Sequence, residues 1–455
     1  MEFMSSQDDK ISWLFSEIQR WVREGIIDST AAESIGRLYP QPQSKTSRPW
    51  ALIVFSGIGA VIIGLGIILL FAYNWHDMTK FTKLSVVFGS LILAHFIGIT
   101  LFIRSDRFKG IGEALCVLGT MLFGAGIWLV AQIYHIEEHF PNAFLLWGIG
   151  ALLMAWTMPS IIQAIIAAVL FTIWAATESV EFSTAMPYVF ALLLLLLPIV
   201  YTQCSRILLA VLLSAFTVSA IFVFAIYDRA EPVFYCLLCV FAIYTAASMM
   251  QQKFAGFEIL TPIYFFFGMT GYFITLYILT FPFILNEIVE QKLNELNIFY
   301  KIVPLAIMAA GWLFVGWQVV KKEKLKYFSY ELFLMPLMSV FFTCVSLGII
   351  KYTAYSAGYH HDTVIRGSSY PNIVFNLVLL AHAVVMMAKG YKDLVLSQTI
   401  VGTLLLIALV IARYFDLFES LAVRGLIFVI VGVLIFGQGF FYVHSKRKKA
   451  LQEIK

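Results

Sequence analysis

The side chains able to do chemistry gather at the outer ends of long apolar segments. One group is Asn74, Trp75, His76 and Asp77, and a second is Gln132, Tyr134, His135, Glu137, Glu138 and His139. His135 and His139 are four residues apart, so on a continued helix they share a face with Glu138 beside them. Imidazoles and a carboxylate at that spacing can hold a metal, with His76 or Asp77 as further ligands. Pro141 argues that the helix ends here, which makes the same residues a solvated acidic loop. His360, His361 and Asp362 admit the same two readings, and the sequence leaves the metal open.

Arg413, Asp416 and Arg424 bracket a third outer turn. Two guanidiniums there suit a phosphate or carboxylate. An interfacial ion pair within an aromatic belt is the plainer reading. Deep in the spans, the ionisable groups are His95 and His382. An ionisable group in hydrocarbon is a functional hypothesis by default, although a neutral histidine bonded to a neighbouring helix needs no function. No Asp or Glu lies near the middle of a span, and Glu113 sits near the cytoplasmic start of the third. Ion-coupled carriers usually place a carboxylate or a broken helix at the midplane, so a proton relay here would rest on the two histidines. Asn372 and Asn376 stand one turn apart at the start of another span and suit interhelical hydrogen bonds. Cys236 and Cys239 form a C-x-x-C pair inside an apolar span, where core packing fits better than redox chemistry. No nucleophile elbow, zinc-protease motif or kinase signature is present, so an enzyme has no positive support.

These residues must be positioned by membrane helices. The 455 residues are 61% hydrophobic and 13% charged, against about 45–50% and about 25% in a soluble domain. Soluble and disordered classes are excluded. All five cysteines fall in apolar stretches, which argues against a disulfide framework. A span needs about 20 apolar residues. Segments of that kind lie near 50–73, 82–103, 111–134, 143–157, 160–176, 185–202, 206–227, 233–250, 259–285, 301–320, 330–350, 371–389, 394–412 and 421–443. The fourth and fifth meet at Met158-Pro159-Ser160 and also read as one broken or re-entrant pair. The fold class is therefore an all-α polytopic transmembrane bundle of about 14 spans, with about 12 as the lower bound.

Most of the 31 Lys and Arg fall on one side of these spans, including Arg104, Arg107 and Lys109, then Lys321 to Lys326, then Lys446 to Lys449. The positive-inside rule makes that side cytoplasmic, with both termini there and an even span count. Residues 1–49 read as cytosolic and not as a signal peptide. Ile11, Leu14, Phe15, Ile18, Trp21 and Val22 recur at helical spacing up to Gly25. Thr30-Ala31-Ala32-Glu33 reads as a capping box opening a second helix, which makes a cytosolic hairpin. Three spans share a glycine pattern, Gly59-x4-Gly64-x-Gly66, Gly119-x4-Gly124-x-Gly126 and Gly432-x4-Gly437-x-Gly439. The first and third glycines of each lie on one helix face and the middle one on another, so two neighbours can approach closely. The first two copies suggest a duplicated two-helix unit, although Gly-rich spans can coincide by chance.

Trp21-x3-Gly25-Ile26-Ile27, Ala32-x2-Ile35, Asn74-Trp75, Ala131-Gln132-Ile133-Tyr134 and Leu146-Trp147 occur in that order. Over roughly residues 13–157 the chain resembles the bacterial membrane-protein family catalogued as domain of unknown function 2157. Arg413-Tyr414-Phe415-Asp416 and the Gly-rich last span look like the tail of its long members. The resemblance implies a multi-pass protein of the bacterial inner (cytoplasmic) membrane. It implies no activity, cofactor or catalytic residue.

The expected organisation is a cytosolic hairpin and linker over 1–48, a Gly-rich membrane unit over 49–177, a membrane bundle over 178–445 and a basic cytosolic tail over 446–455. The expected partners are the lipid bilayer and a protein docked on residues 1–40. Nucleic acid and cofactors are not expected. The function favoured is a transporter or flippase with a polar site near the outer face. A regulatory or structural subunit docking through the hairpin, and a membrane enzyme acting on a lipid-linked substrate, are the alternatives. With both termini cytoplasmic, a fluorescent-protein fusion to Lys455 lights up and a C-terminal alkaline-phosphatase fusion stays inactive. The reverse pattern contradicts the charge argument.

Overall fold

A computed structural model describes residues 14–15, 17–38, 78–104, 108–136, 139–226, 230–252, 256–281, 298–321, 325, 328–346 and 370–416, with isolated positions between 429 and 439. The segments read from the sequence at 50–73 and, but for those positions, 421–443 lie outside them. So do His360, His361 and Asp362. The chain divides into two compact units, Met1–Lys83 and Leu84–Lys455.

In the first unit, residues 17–23 are helical and the chain turns at Gly25, whose φ of +72° suits a residue without Cβ. Helix α1, Ser29–Arg37, follows. Its cap differs from the sequence expectation. Asp28, in extended conformation, accepts from the Ala31 amide at 2.7 Å, so the helix starts before Thr30. The Thr30 carbonyl instead accepts from Ser34 Oγ at 2.8 Å within the helix.

The described residues of the second unit form helices joined by turns, with no strand among them. Helices α2 (Lys80–Arg104), α3 (Lys109–Tyr134), α4 (Pro141–Thr157) and α5 (Ile161–Phe182) come first. Two short helices, α6 (Tyr188–Leu194) and α7 (Leu197–Gln203), precede α8 (Arg206–Ala225), α9 (Ala230–Gln251) and α10 (Thr261–Leu279). Then come α11 (Ile298–Val320), α12 (Leu334–Ser346), α13 (Tyr370–Lys392) and α14 (Leu396–Asp416). Among the described residues, nine helices are long and apolar enough to cross a membrane, and three shorter apolar helices accompany them. The buried share of the apolar window falls from 61% in α9 to 11% in α2. Helix α9 is thus the axis of the described bundle, packed by α8, α10, α11 and α12.

Successive contacts fix the directions. Gly124 meets the Trp147 indole and Gly150 meets Phe123, so α3 and α4 run antiparallel. Gly148 meets Phe171, so α4 and α5 form an antiparallel pair rather than one broken helix. The turn between them leaves Ser160 extended as the α5 cap. The break falls one span later. Pro198 has no amide hydrogen and splits the apolar run 185–202 into α6 and α7. The exposed Leu195 carbonyl at that break accepts from Trp156 Nε1 at 3.1 Å.

The glycines of α3 separate as their spacing requires. Gly119 lies under the His95 ring and Gly126 faces Val87, both on α2, whereas Gly124 lies under Trp147 of α4. One turn further along the α2–α3 crossing, Gly98 and Gly112 bring the two backbones into contact. The corresponding glycines at 59–66 lie outside the described residues. Basic side chains anchor the opposite end of the bundle from the α3 C-terminus. Lys109 sits 4.9 Å over Phe102, Lys321 sits 3.9 Å over Trp317, and Arg206 Nε donates to the Ile259 carbonyl at 3.0 Å.

A methyl group at Gly124 would enter the Trp147 ring, whereas one at Gly110 meets nothing within 4 Å. Gly124→Ala is therefore expected to lose about 1–3 kcal/mol through overpacking. Gly110→Ala is expected to be neutral or slightly stabilising through helix propensity. Thermal unfolding in detergent reads the difference; equal midpoints contradict the packing argument.

Candidate functional site

Helix α3 stops at Tyr134 because His135 adopts a left-handed conformation (φ 53°), with its amide on the Ala131 carbonyl. Pro141 then opens α4. The continued helix on which His135 and His139 would share a face is therefore not formed. His135 stays exposed, as do Gln132 and Tyr134. His139 turns to α5 instead, where its Nε2 lies 2.8 and 2.7 Å from the two carboxylate oxygens of Glu178. Trp174 Nε1, one turn earlier on α5, donates to the same carboxylate at 3.2 Å. The Phe182 ring lies 3.9 Å from the imidazole, centroid to centroid. The Glu178 side chain is 1% exposed and that of His139 36%.

An ionised carboxylate only accepts, and in that state of Glu178 the hydrogen of the pair is on His139 Nε2. When the ring is neutral, Nδ1 is then the acceptor. That ring borders a cavity of about 390 Å³ between α2, α3 and α4. Phe88, Phe123, Trp128, Phe140 and Leu146 form apolar walls, and Gly126 is also on the lining. His139 and Asn142 are the polar side chains on its lining.

The same helix carries polar groups at its other end. Ser160 caps α5 and donates to Glu113 of α3 at 2.6 Å. Gln163 is 1% exposed, and neither polar atom of its amide has a partner.

The remaining sequence candidates take other positions. His95 Nδ1 lies 3.1 Å from the Leu91 carbonyl of its own helix, and its ring covers Gly119. His382 is fully buried, with Nε2 3.5 Å from the Tyr272 hydroxyl and its ring edge-on to Tyr272 and Phe273. Arg413 donates to the Thr280 carbonyl at 2.8 Å, and Asn376 reaches the same carbonyl at 3.3 Å. These contacts satisfy the C-terminus of α10. Asp416 ends α14. Alternation of the helices brings Arg413 and His139 to the same end of the bundle. Asn74, Trp75, His76, Asp77 and Arg424 lie outside the described residues. Cys236 and Cys239 are buried in α9. No group of three or more metal-ligating side chains occurs among the described residues.

Glu178 escaped the sequence reading because the apolar run was ended at residue 176, whereas α5 continues to Phe182. Two signals marked it. Trp174 and Glu178 are four apart, and no Lys or Arg occurs between Lys109 and Arg206.

Residues 19–164 match a protein family described as Predicted membrane protein (DUF2157). The match contains α1 to α4 and the start of α5, and so includes His139 but not Glu178. No curated protein and no solved structure matches the chain.

Removing one partner of the His139–Glu178 pair has unequal consequences. His139→Ala strands a buried carboxylate and is expected to cost about 1–3 kcal/mol. Glu178→Gln keeps the shape and one acceptor for Trp174, and is expected to cost less. Thermal unfolding of the two variants checks the order; a larger loss in Glu178→Gln contradicts it.

Proposed function

We propose that this multi-pass membrane protein is a transporter or flippase that holds an amphiphile in the cavity between α2, α3 and α4. The observation that carries the reading is that cavity, about 390 Å³ with aromatic walls and, at its rim, His139 paired with the buried Glu178. Binding sites for small molecules combine apolar walls with a few fixed polar groups. An acyl or aryl tail suits the walls, and a polar head suits His139 and Asn142. The broken helix α6–α7 adds a feature common in transporter folds. The proposed setting is the bacterial inner membrane with both termini cytoplasmic, which puts His139 at the outer interface.

A regulatory subunit is the second reading. Its support is the hairpin, where Ile26 and Leu38 are 64% and 78% exposed and give a partner apolar surface.

Purified full-length protein in liposomes tests the first reading with labelled single-chain amphiphiles of positive, zero and negative charge. At least one is expected to cross faster than in protein-free vesicles. Ala143→Trp, which adds a ring at a lining position, is expected to lower that rate at least tenfold while the protein still unfolds cooperatively. No acceleration for any amphiphile overturns the proposal.

A further inference from the structure

The depth and the walls of the same cavity point to where its ligand comes from. On α3 the lining runs from Phe123 to Ala131, and the helix ends at Tyr134. Glu137 and Glu138 follow in the sequence, so this end of α3 lies at an aqueous boundary. At about 1.5 Å per residue, Phe123 is about 16 Å along the axis from Tyr134. The hydrocarbon core is about 30 Å thick, so the cavity is about as deep as one leaflet.

Towards the other leaflet α3 is closed against its neighbours. Trp147 of α4 covers Gly124 and donates from Nε1 to the Thr120 carbonyl at 2.8 Å, and His95 of α2 covers Gly119. Polarity follows the depth. His139 and Asn142 line the cavity at its aqueous end, beside the start of α4, whereas the deeper lining on α2 and α3 is aromatic and aliphatic. The sides are open. Phe88 of α2, Trp128 of α3 and Leu146 of α4 line the cavity and are 42%, 39% and 50% exposed, within the apolar runs of their helices. The surface they expose meets hydrocarbon rather than water, so a molecule dissolved in the bilayer reaches the cavity sideways.

We infer that the cavity receives one chain of a membrane lipid sideways from the leaflet at the α3 C-terminus, with the headgroup at the level of His139 and Asn142. The volume of about 390 Å³ is near the lower end of ligand pockets, about 300–1,000 Å³, which suits one chain rather than two. A polar head carried to the closed end would lose its water without gaining a partner, so the head stays at the boundary. The inference rests on the amphiphile-binding reading and adds the source of the ligand, the bilayer rather than the aqueous phase.

Photo-crosslinking of the purified full chain in phosphatidylcholine nanodiscs tests the inference. The probe is a phosphatidylcholine with a diazirine at the end of one chain, and peptide mass spectrometry locates the labelled residues. Phe123 reports the cavity, and Leu313, exposed on α11, reports ordinary lipid contact. Both are expected to be labelled. Ala143→Trp is expected to lower labelling of Phe123 at least fivefold and to leave Leu313 unchanged. A diazirine next to the headgroup is expected to move the label from Phe123 to the segment from His139 to Ala143. Unchanged labelling of Phe123 in folded Ala143→Trp places the chain outside the cavity and overturns the inference. If the lipid leaves Phe123 unlabelled but a single-chain sulfobetaine with the same diazirine labels it in micelles, the bilayer source is overturned and the cavity reading stands. Phe123 labelled by neither probe overturns both. If Ala143→Trp fails to fold, the two diazirine positions on the unaltered chain still decide, because equal labelling of Phe123 from both overturns the inference.

Discussion

Hydrocarbon offers no water to a polar group, so a polar group buried in this bundle depends on the protein for its partner, which the Gln163 amide lacks. The helices meet most of that demand through their own backbones. The side chains complete it at the places where a helix is interrupted. Trp156 reaches the Leu195 carbonyl beside the break made by Pro198. Arg413 and Asn376 converge on the Thr280 carbonyl, where α10 ends. Trp312 donates to the Ala242 carbonyl at 3.0 Å and Trp147 to the Thr120 carbonyl at 2.8 Å. Indoles recur because an apolar body carrying one donor can sit among helices and still satisfy a carbonyl. Buried hydroxyls follow the same rule by bonding back to their own helix, as Thr120 does to Cys116 and Thr245 to Phe241.

Close approach is the second consequence. Lipid is as apolar as leucine, so helix association in a membrane depends on contact rather than on water exclusion. Helix α3 achieves contact on two sides at once. Its glycines admit His95 and Val87 of α2 on one face and Trp147 of α4 on another. Gly126, which faces Val87, is also on the cavity lining. His95, which stands out in the sequence as an ionisable group in a span, serves this packing. His139, on the segment between two helices, bears on the cavity.

The histidine–carboxylate pair follows the same logic with a charge. A polar group excluded from water needs hydrogen-bond partners, and Glu178 has an imidazole and an indole. Those donors hold the His139 ring in one orientation. The rim of the cavity therefore carries a polar group among apolar walls.

By itself the sequence determined the class, most of the described helices and the two faces of the α3 glycines. It could do so because membrane helices are written in local composition: about 20 apolar residues, with charges at the ends and glycines at helical spacing. It also marked His139, although through a helical spacing with His135 that the left-handed turn at His135 removes. Nothing local to Glu178, Trp174 or Gln163 names the residues they pack against. Only packing decided their roles, because His139 and Glu178 are 39 residues apart and Ser160 and Glu113 are 47 apart. No local pattern encodes such a pairing. It exists only once α3, α4 and α5 are laid against one another.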